Sequence, residues 1–472
     1  MIKLSHHEIQ SKLLAGQFTM VELVKAYLKQ AHTIADYNAY IELYEEEVIL
    51  QAEQLDERIK SNKDDLGPLF GAVVSTKDNL CYKGHISTAG SKILDGFKAP
   101  YNATVIERIL EADALIIGRT NCDEMSMGST NETSYYGATK NAIDPSKVPG
   151  GSSGGGAVAA AMHTCLLSIG SDTGGSIRQP AAFNGILGYK PSYGTISRWG
   201  LMAYGSSFDT IGLLGHSIED MKKVMQVVSG PDEYDSTALT NKIDFSKEGL
   251  QEKKTIAYSQ SMLDHPSVDP ALKNSAIGYI EKVQALGYSL VDVDLGIADL
   301  LVPCYYILAT AEASSNLSRY DGVRYGHRSA LETDDYKEMM RASRTEGFGK
   351  EVKKRIMLGT YVLSDGYYDA YYKKAQQVRR LIKNRMTDIL DQYTYYMLPT
   401  TSSGPWPLGH KHEDPLHEYL SDIFTVLANL SGNPAISIVI DNIQGQIPFG
   451  MQLMTHQGQD DKLLTLAKQL TN

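Results

Sequence analysis

The chain has 472 residues, 42% hydrophobic and 21% charged, which is ordinary for a globular protein, and its length alone allows about three domains. A net charge of −11 excludes this chain as the main binder of a polyanion, because nucleic-acid binding needs a basic footprint, but it leaves room for a place beside another chain that holds the nucleic acid. No apolar run approaches the roughly 18 residues of a membrane span. The widely spaced Cys81, Cys122, Cys165 and Cys304 signal neither a disulfide framework nor a thiolate zinc site, and free thiols suit a reducing cytoplasm.

The opening MIKLSHHEIQSKLL lacks an apolar signal core and reads as part of the fold. In FTMVELVKAYLKQAH, Thr19 and Glu22 have capping-box spacing ahead of apolar residues at helical intervals. ADYNAYIELYEEEVILQAEQLDERIKS predicts a second, acidic helix. The texture then changes to short apolar runs alternating with helices. LFGAVVSTKDNL reads as a buried strand ending near Lys77, NATVIERILEAD as a helix and ALIIGRTN as a strand. GGGAVAAAMH follows as a small-residue helix, CLLSIGS as a strand and IRQPAAFNG as a helix start. From about 250 onward helices dominate, until YTYYMLPTT and a PAISIVI–IPFGMQLMT hairpin return to a sheet. The pattern is that of an α/β protein with a buried, largely parallel sheet. No linker cuts the chain.

Two Gly/Ser turns lie close together. VPGGSSGGGAVAAAM has no Gly-Lys-Ser/Thr ending, and Ala159 stands where a dinucleotide fingerprint needs its last glycine. Its GGSSG matches the letters of a nucleophile elbow at Ser152, but the polar, proline-broken NAIDPSKVP in front is no strand. SIGSDTGGSIRQPA differs: it runs from an apolar strand through Asp172, Thr173, Gly174 and Gly175 to Ser176 and into a helix. Such a turn gathers unpaired backbone N–H groups beside a helix N-terminus, which is what an oxyanion hole around a nucleophilic serine needs. The ordinary alternative is a plain glycine-rich connection. The serine needs a base. His163 sits on the small-residue helix, and His410, His412 and His417 fall in a polar, proline-flanked stretch that reads as a loop. Lys77 ends an apolar run at a strand's carboxyl end, where burial keeps a lysine neutral and α/β sites gather.

Together these residues resemble the amidase signature family. Lys77, Ser152 in GGSSGG and Ser176 in SDTGGSIRQPA fit that family's Ser-cisSer-Lys triad, 75 and 24 positions apart. The resemblance runs from about residue 5 to 470. It implies one large α/β/α domain over 1–472, built on a mixed, mostly parallel central sheet flanked by helices on both faces, with N-terminal helices to about 65, a signature core at about 66–215 and a helical substrate side at about 250–390. It implies that Ser176 attacks an amide carbonyl, that Ser152, on a non-proline cis peptide, relays the proton, and that neutral Lys77 is the base. The backbone N–H groups of Thr173, Gly174, Gly175 and Ser176 would form the oxyanion hole. At Cys122, Met125, Ser126 and Gly156 the chain departs from the commoner residues of the resembled sequences, all outside the triad.

AEASSNLSRYDGVRYG, TEGFGKEVKKRIMLGTYVLSDGYYDAYYKKAQQVR and MLPTTSSGPWPLG are similar to the branch that supplies glutaminase subunits to tRNA-dependent amidotransferases. That branch hydrolyses glutamine and passes ammonia to a partner, which uses ATP and Mg to amidate misacylated Glu-tRNA(Gln), in many cases Asp-tRNA(Asn) too. The resemblance thus implies a cytoplasmic heterotrimer completed by the amidotransferase B and C subunits, and no cofactor in this chain. It also implies that Arg355 pairs with the glutamine carboxylate, Asp422 with its ammonium, and Tyr306 adds a hydroxyl, with Tyr305 as the alternative inward residue. A stand-alone amidase acting on a small-molecule amide is the other reading. A non-catalytic scaffold is disfavoured because all three catalytic side chains are present.

Overall fold

The computed structural model describes residues 1–247, 255–410, 420–440 and 446–471. His412 and His417 lie outside the described residues. Eleven strands among the described residues form one sheet: β1 (Tyr40–Leu43), β2 (Val73–Lys77), β3 (Leu115–Thr120), β4 (Leu167–Asp172), β5 (Leu187–Lys190), β6 (Thr210–Gly215), β7 (Thr255–Tyr258), β8 (Ser289–Asp292), β9 (Tyr395–Pro399), β10 (Ala435–Ile440) and β11 (Phe449–Thr455). Their spatial order is β1-β3-β2-β4-β6-β5-β10-β11-β9-β7-β8. The sheet is mixed, but parallel pairing is confined to β3-β2-β4 and β9-β7-β8. Every other neighbour is antiparallel. The expected parallel bias therefore holds only in those two runs. Buried strands of either direction carry the same apolar runs, so the sequence pattern does not separate them.

Alternation along the central strands explains the layers. Val73, Leu115 and Ile117 point into one core, with the helices Met20–Thr33 and Glu45–Ser61. Val74, Ile116 and Ile169 point into another, with the helices Thr104–Glu111, Ile218–Val228 and Asp460–Thr471. Side chains on a strand alternate faces, so each strand stitches both layers. A third core lies among the helices Ala298–Asn316, Lys350–Val362 and Lys374–Tyr393. No helix among the described residues is long and apolar enough to cross a membrane.

The capping box at Thr19 and Glu22 is present, and a second one at Ser5 and Glu8 opens a helix at His6–Leu14. The acidic helix starts later than its sequence suggests. Asn38 takes a left-handed conformation (φ 54) and breaks the run. Residues 40–43 then pair antiparallel with β3, and the helix begins at Glu45. The helix Ala298–Asn316 holds Pro303 in its interior, a residue that reads as a helix breaker.

Candidate active site

β2 and β4 are parallel neighbours, so their carboxyl ends open at the same edge. Lys77 ends one and Asp172 the other. Chain direction alone therefore sets the candidate base beside the Thr173–Ser176 turn, at the edge where open α/β sheets bind ligands. Ser152 arrives on the loop before the helix Gly154–Ala161, at a cis Gly151–Ser152 peptide. The Ser153 N–H donates to the Ser176 carbonyl at 3.2 Å, which fastens the two serine segments together.

Lys77 is buried, and its Nζ lies 2.7 Å from Ser152 Oγ, 3.0 Å from Ser153 Oγ and 3.1 Å from Ser171 Oγ. Ser153 already donates its own hydroxyl to the Ser171 carbonyl. Ser171 Oγ also accepts from Asn79 Nδ2 at 2.8 Å. Among the described residues Ser152 Oγ has no hydrogen-bond partner besides Lys77, which leaves its hydrogen for the lone pair of a neutral lysine. Burial pushes the Lys77 ammonium down to about 8, against the opposing pull of Asp123, Asp172 and Asp209. Among the described residues Ser176 Oγ has no hydrogen-bond partner, and no bond links it to Ser152. The structure brings Lys77 and Ser152 into contact and places Ser176 on the adjoining segment.

A buried ion pair shapes the turn. Asp172 Oδ1 accepts from the Gly175 N–H, Arg178 Nη2 and Asn429 Nδ2 at 2.9–3.0 Å. Its Oδ2 accepts from the Ile177 N–H and Arg178 Nε. Burial works against this carboxylate, but the Arg178 charge and hydrogen bonds outweigh it and hold it at about 2. Arg178 also donates to the Thr425 carbonyl and Gln452 Oε1. One expectation needs correcting here. The Gly175 N–H is spent on Asp172, so it is not open to an oxyanion; the N–H groups of Thr173, Gly174 and Ser176 have no acceptor among the described residues. Gly175 has φ +131, and a Cβ there would fall 2.5 Å from Thr425 Oγ1. A Cβ on Gly174 would fall 2.5 Å from the Tyr305 hydroxyl oxygen.

The substrate-side residues converge as well. Tyr306 donates to Asp422 Oδ2 at 2.9 Å, and the Arg355 guanidinium lies 5.4 Å from the Tyr306 ring centre. Arg355 is buried; its Nε donates to Glu351 Oε1 at 2.8 Å and its Nη1 to Tyr204 Oη at 2.7 Å. Burial raises the Asp422 carboxyl to about 7. The two tyrosines divide the work: Tyr305 packs on the turn at Gly174 and Tyr306 holds Asp422. His163 instead stacks on His216, with ring centres 4.3 Å apart, and the His410 N–H donates to the Pro407 carbonyl. Among the described residues no group of three or more His, Cys, Asp or Glu is placed to hold a metal ion.

Sequence reasoning missed several supports. Asp209 accepts from Thr173 Oγ1 at 2.6 Å and from the N–H of Tyr204, so it links the turn to the loop that steadies Arg355. Burial raises this carboxyl to about 6. Asp172 and Arg178 do leave a local sign, an acid and a base flanking the glycines. Asn429 and Gln452 sit some 250 residues and more away in sequence and leave none.

A family model described as Amidase matches residues 22–464. The A-type subunit of the glutamyl-tRNA(Gln) amidotransferase of Chlorobium phaeobacteroides is 45% identical over 471 residues, covering 98% of each chain. A crystal structure of the corresponding glutamyl-tRNA(Gln) amidotransferase chain from Thermotoga maritima superposes with a TM-score of 0.79 at 32% identity, covering 99% of this chain and 94% of that one. A crystal structure of an amidase superposes with a TM-score of 0.84 at 27% identity, covering 98% of each.

Proposed function

The chain belongs to the amidase family, and within it we propose the glutaminase subunit of a tRNA-dependent amidotransferase. The carrying observation is the Tyr306–Asp422 pair beside Arg355, next to the Lys77–Ser152 contact and the Ser176 turn. An acid and a cation beside an amide-cleaving serine match the two charged ends of free glutamine. An apolar amide needs neither.

In this reading Ser176 Oγ attacks the side-chain carboxamide carbon of glutamine. Its proton passes to Ser152, whose own proton passes to neutral Lys77. The amides of Thr173, Gly174 and Ser176 donate to the oxyanion as it forms. Collapse breaks the C–N bond, the relayed proton returns to the leaving nitrogen, and ammonia departs from a γ-glutamyl ester on Ser176. Water then attacks that ester, with Lys77 again taking the proton, and releases glutamate. The ammonia serves a partner subunit, which activates misacylated Glu-tRNA(Gln), and Asp-tRNA(Asn) where that is accepted, with ATP and Mg²⁺. The B and C subunits complete a heterotrimer, and this chain needs no cofactor of its own.

The test is ammonia release from glutamine, with and without the B and C subunits. Ser176→Ala should abolish glutamine-dependent amidation and leave amidation from added ammonium salts intact. Loss of both activities in a folded variant defeats the assignment. A stand-alone amidase is the second reading, because the fold match reaches an amidase as well as an amidotransferase chain. It predicts faster turnover of an uncharged amide than of glutamine.

A further inference from the structure

One surface stands apart from the acidic remainder of the chain. The helix Lys350–Val362, whose buried side carries Arg355, turns Met357, Leu358 and Tyr361 outward. Met357 is 72% exposed and Tyr361 44%. Tyr367 packs on Tyr361 with ring centres 4.3 Å apart, and Tyr371 lies 6.1 Å from both. Tyr371 belongs to a π-helical turn, Asp369–Lys373, a local geometry frequent at functional sites. Exposed tyrosine and methionine in one contiguous patch is the composition of an interface centre.

The surrounding charge identifies the occupant. Setting aside the buried Arg355, residues 350–380 carry seven basic and three acidic side chains, a net +4 within a chain of −11. Lys354 stands one helical turn before Met357 and Leu358, and Lys373 and Lys374 follow Tyr371 and Tyr372. A second copy of this chain is a poor fit, because a two-fold contact would set the same lysines against each other. RNA is also a poor fit. The rings are packed on one another rather than splayed to receive bases, and the aliphatic Met357 and Leu358 offer bases no stacking face. We propose that this face is the docking surface for a partner subunit of the amidotransferase, one that presents an apolar centre with an acidic rim. The proposal rests on the functional reading above and adds the place of contact: the outer side of the helix that holds Arg355, so that the bound partner lies beside the site where ammonia is released.

The experiment mixes the purified chain with the B and C subunits of the same organism and measures association by sedimentation velocity. Met357→Ser/Tyr361→Ser/Tyr371→Ser should weaken association by at least about tenfold. Lys373→Glu/Lys374→Glu, on exposed positions, should weaken it more at low salt than at high salt. Both variants should keep the wild-type unfolding midpoint and the ammonia release from glutamine of the isolated chain. Wild-type association by both variants overturns the location alone. So does a wild-type dimer that the triple variant dissolves, or a gel shift of misacylated tRNA by the lone chain that the triple variant abolishes. A wild-type chain that neither associates with the B and C subunits nor releases ammonia from glutamine removes the functional reading, and this proposal with it.

Discussion

Lys77 Nζ and Ser152 Oγ face each other at 2.7 Å in a fully buried setting, with two further serine hydroxyls, Ser153 and Ser171, completing the lysine's surroundings. Burial depresses the lysine to about 8, so the neutral, basic form grows as pH rises through that value. At pH 7 only about a tenth is neutral. The kcat for glutamine should therefore rise about tenfold per pH unit below 8 and level off above it. Lys77→Arg keeps a cation that never deprotonates near neutrality, and its glutaminase activity should fall by orders of magnitude. A flat profile between pH 6 and 8 in the wild type would remove Lys77 as the base.

The Asp172–Arg178 pair makes a stability prediction. Asp172 is held at about 2 in the fold against an ordinary 3.8. A depressed carboxyl contributes stability above its unfolded value and loses it as pH falls through the folded one. Asp172→Asn leaves Arg178 buried without its counter-charge, a loss of about 3–5 kcal/mol. Denaturant unfolding of wild type and variant should differ by that order at pH 7, and the gap should narrow as pH drops from 4 toward 2. An equal gap at both ends would mean that the carboxylate charge is not what stabilises the turn.

Gly174 and Tyr305 supply a paired test. A methyl group at 174 would lie 2.5 Å from the Tyr305 hydroxyl oxygen, and overpacking of this kind costs about 1–3 kcal/mol. Gly174→Ala should lower kcat by displacing the turn that carries Ser176. Gly174→Ala/Tyr305→Ala removes the clash and should recover part of that loss relative to Gly174→Ala. No recovery would assign the effect to the backbone of the turn itself.

These tests separate what was legible in the sequence from what was not. The settings of Lys77 and Ser176 are legible because each stands at a local landmark, a strand end and a strand-to-helix turn, whereas Ser152 fails the nearest local pattern and enters only through the family resemblance. The central strands are legible through their apolar runs. The direction of β6, β5 and β10 is not, because pairing partners are chosen across distances that apolar pattern does not encode. Asn38, which breaks the run ahead of the acidic helix, leaves only a weak mark. The acceptor for the Gly175 N–H is likewise invisible until Asp172 is seen to fold back on the turn it precedes.

On the proposed reading, substrate choice rests on Arg355 and Asp422. Tyr306 joins them, donating to Asp422 at 2.9 Å with its ring 5.4 Å from the guanidinium. Burial lifts the Asp422 carboxyl to about 7, so below that pH it is increasingly neutral and pairs poorly with the glutamine ammonium. KM for glutamine should therefore rise as pH falls through 7, while kcat follows the Lys77 titration nearer 8. A hydrogen bond to a charged group is worth about 1.5–3 kcal/mol, which is roughly ten- to a hundredfold in binding. Asp422→Asn and Arg355→Ala should each raise KM for glutamine by that range and spare amidation from added ammonium, since ammonia needs neither charge. Asp422→Asn should also erase the rise in KM below pH 7, a change that simple loss of packing does not produce. Arg355 has structural bonds too, to Glu351 and Tyr204, so Arg355→Ala is compared with Glu351→Gln. If Glu351→Gln raises KM as much as Arg355→Ala does, the arginine acts by bracing its helix and not by holding the substrate carboxylate.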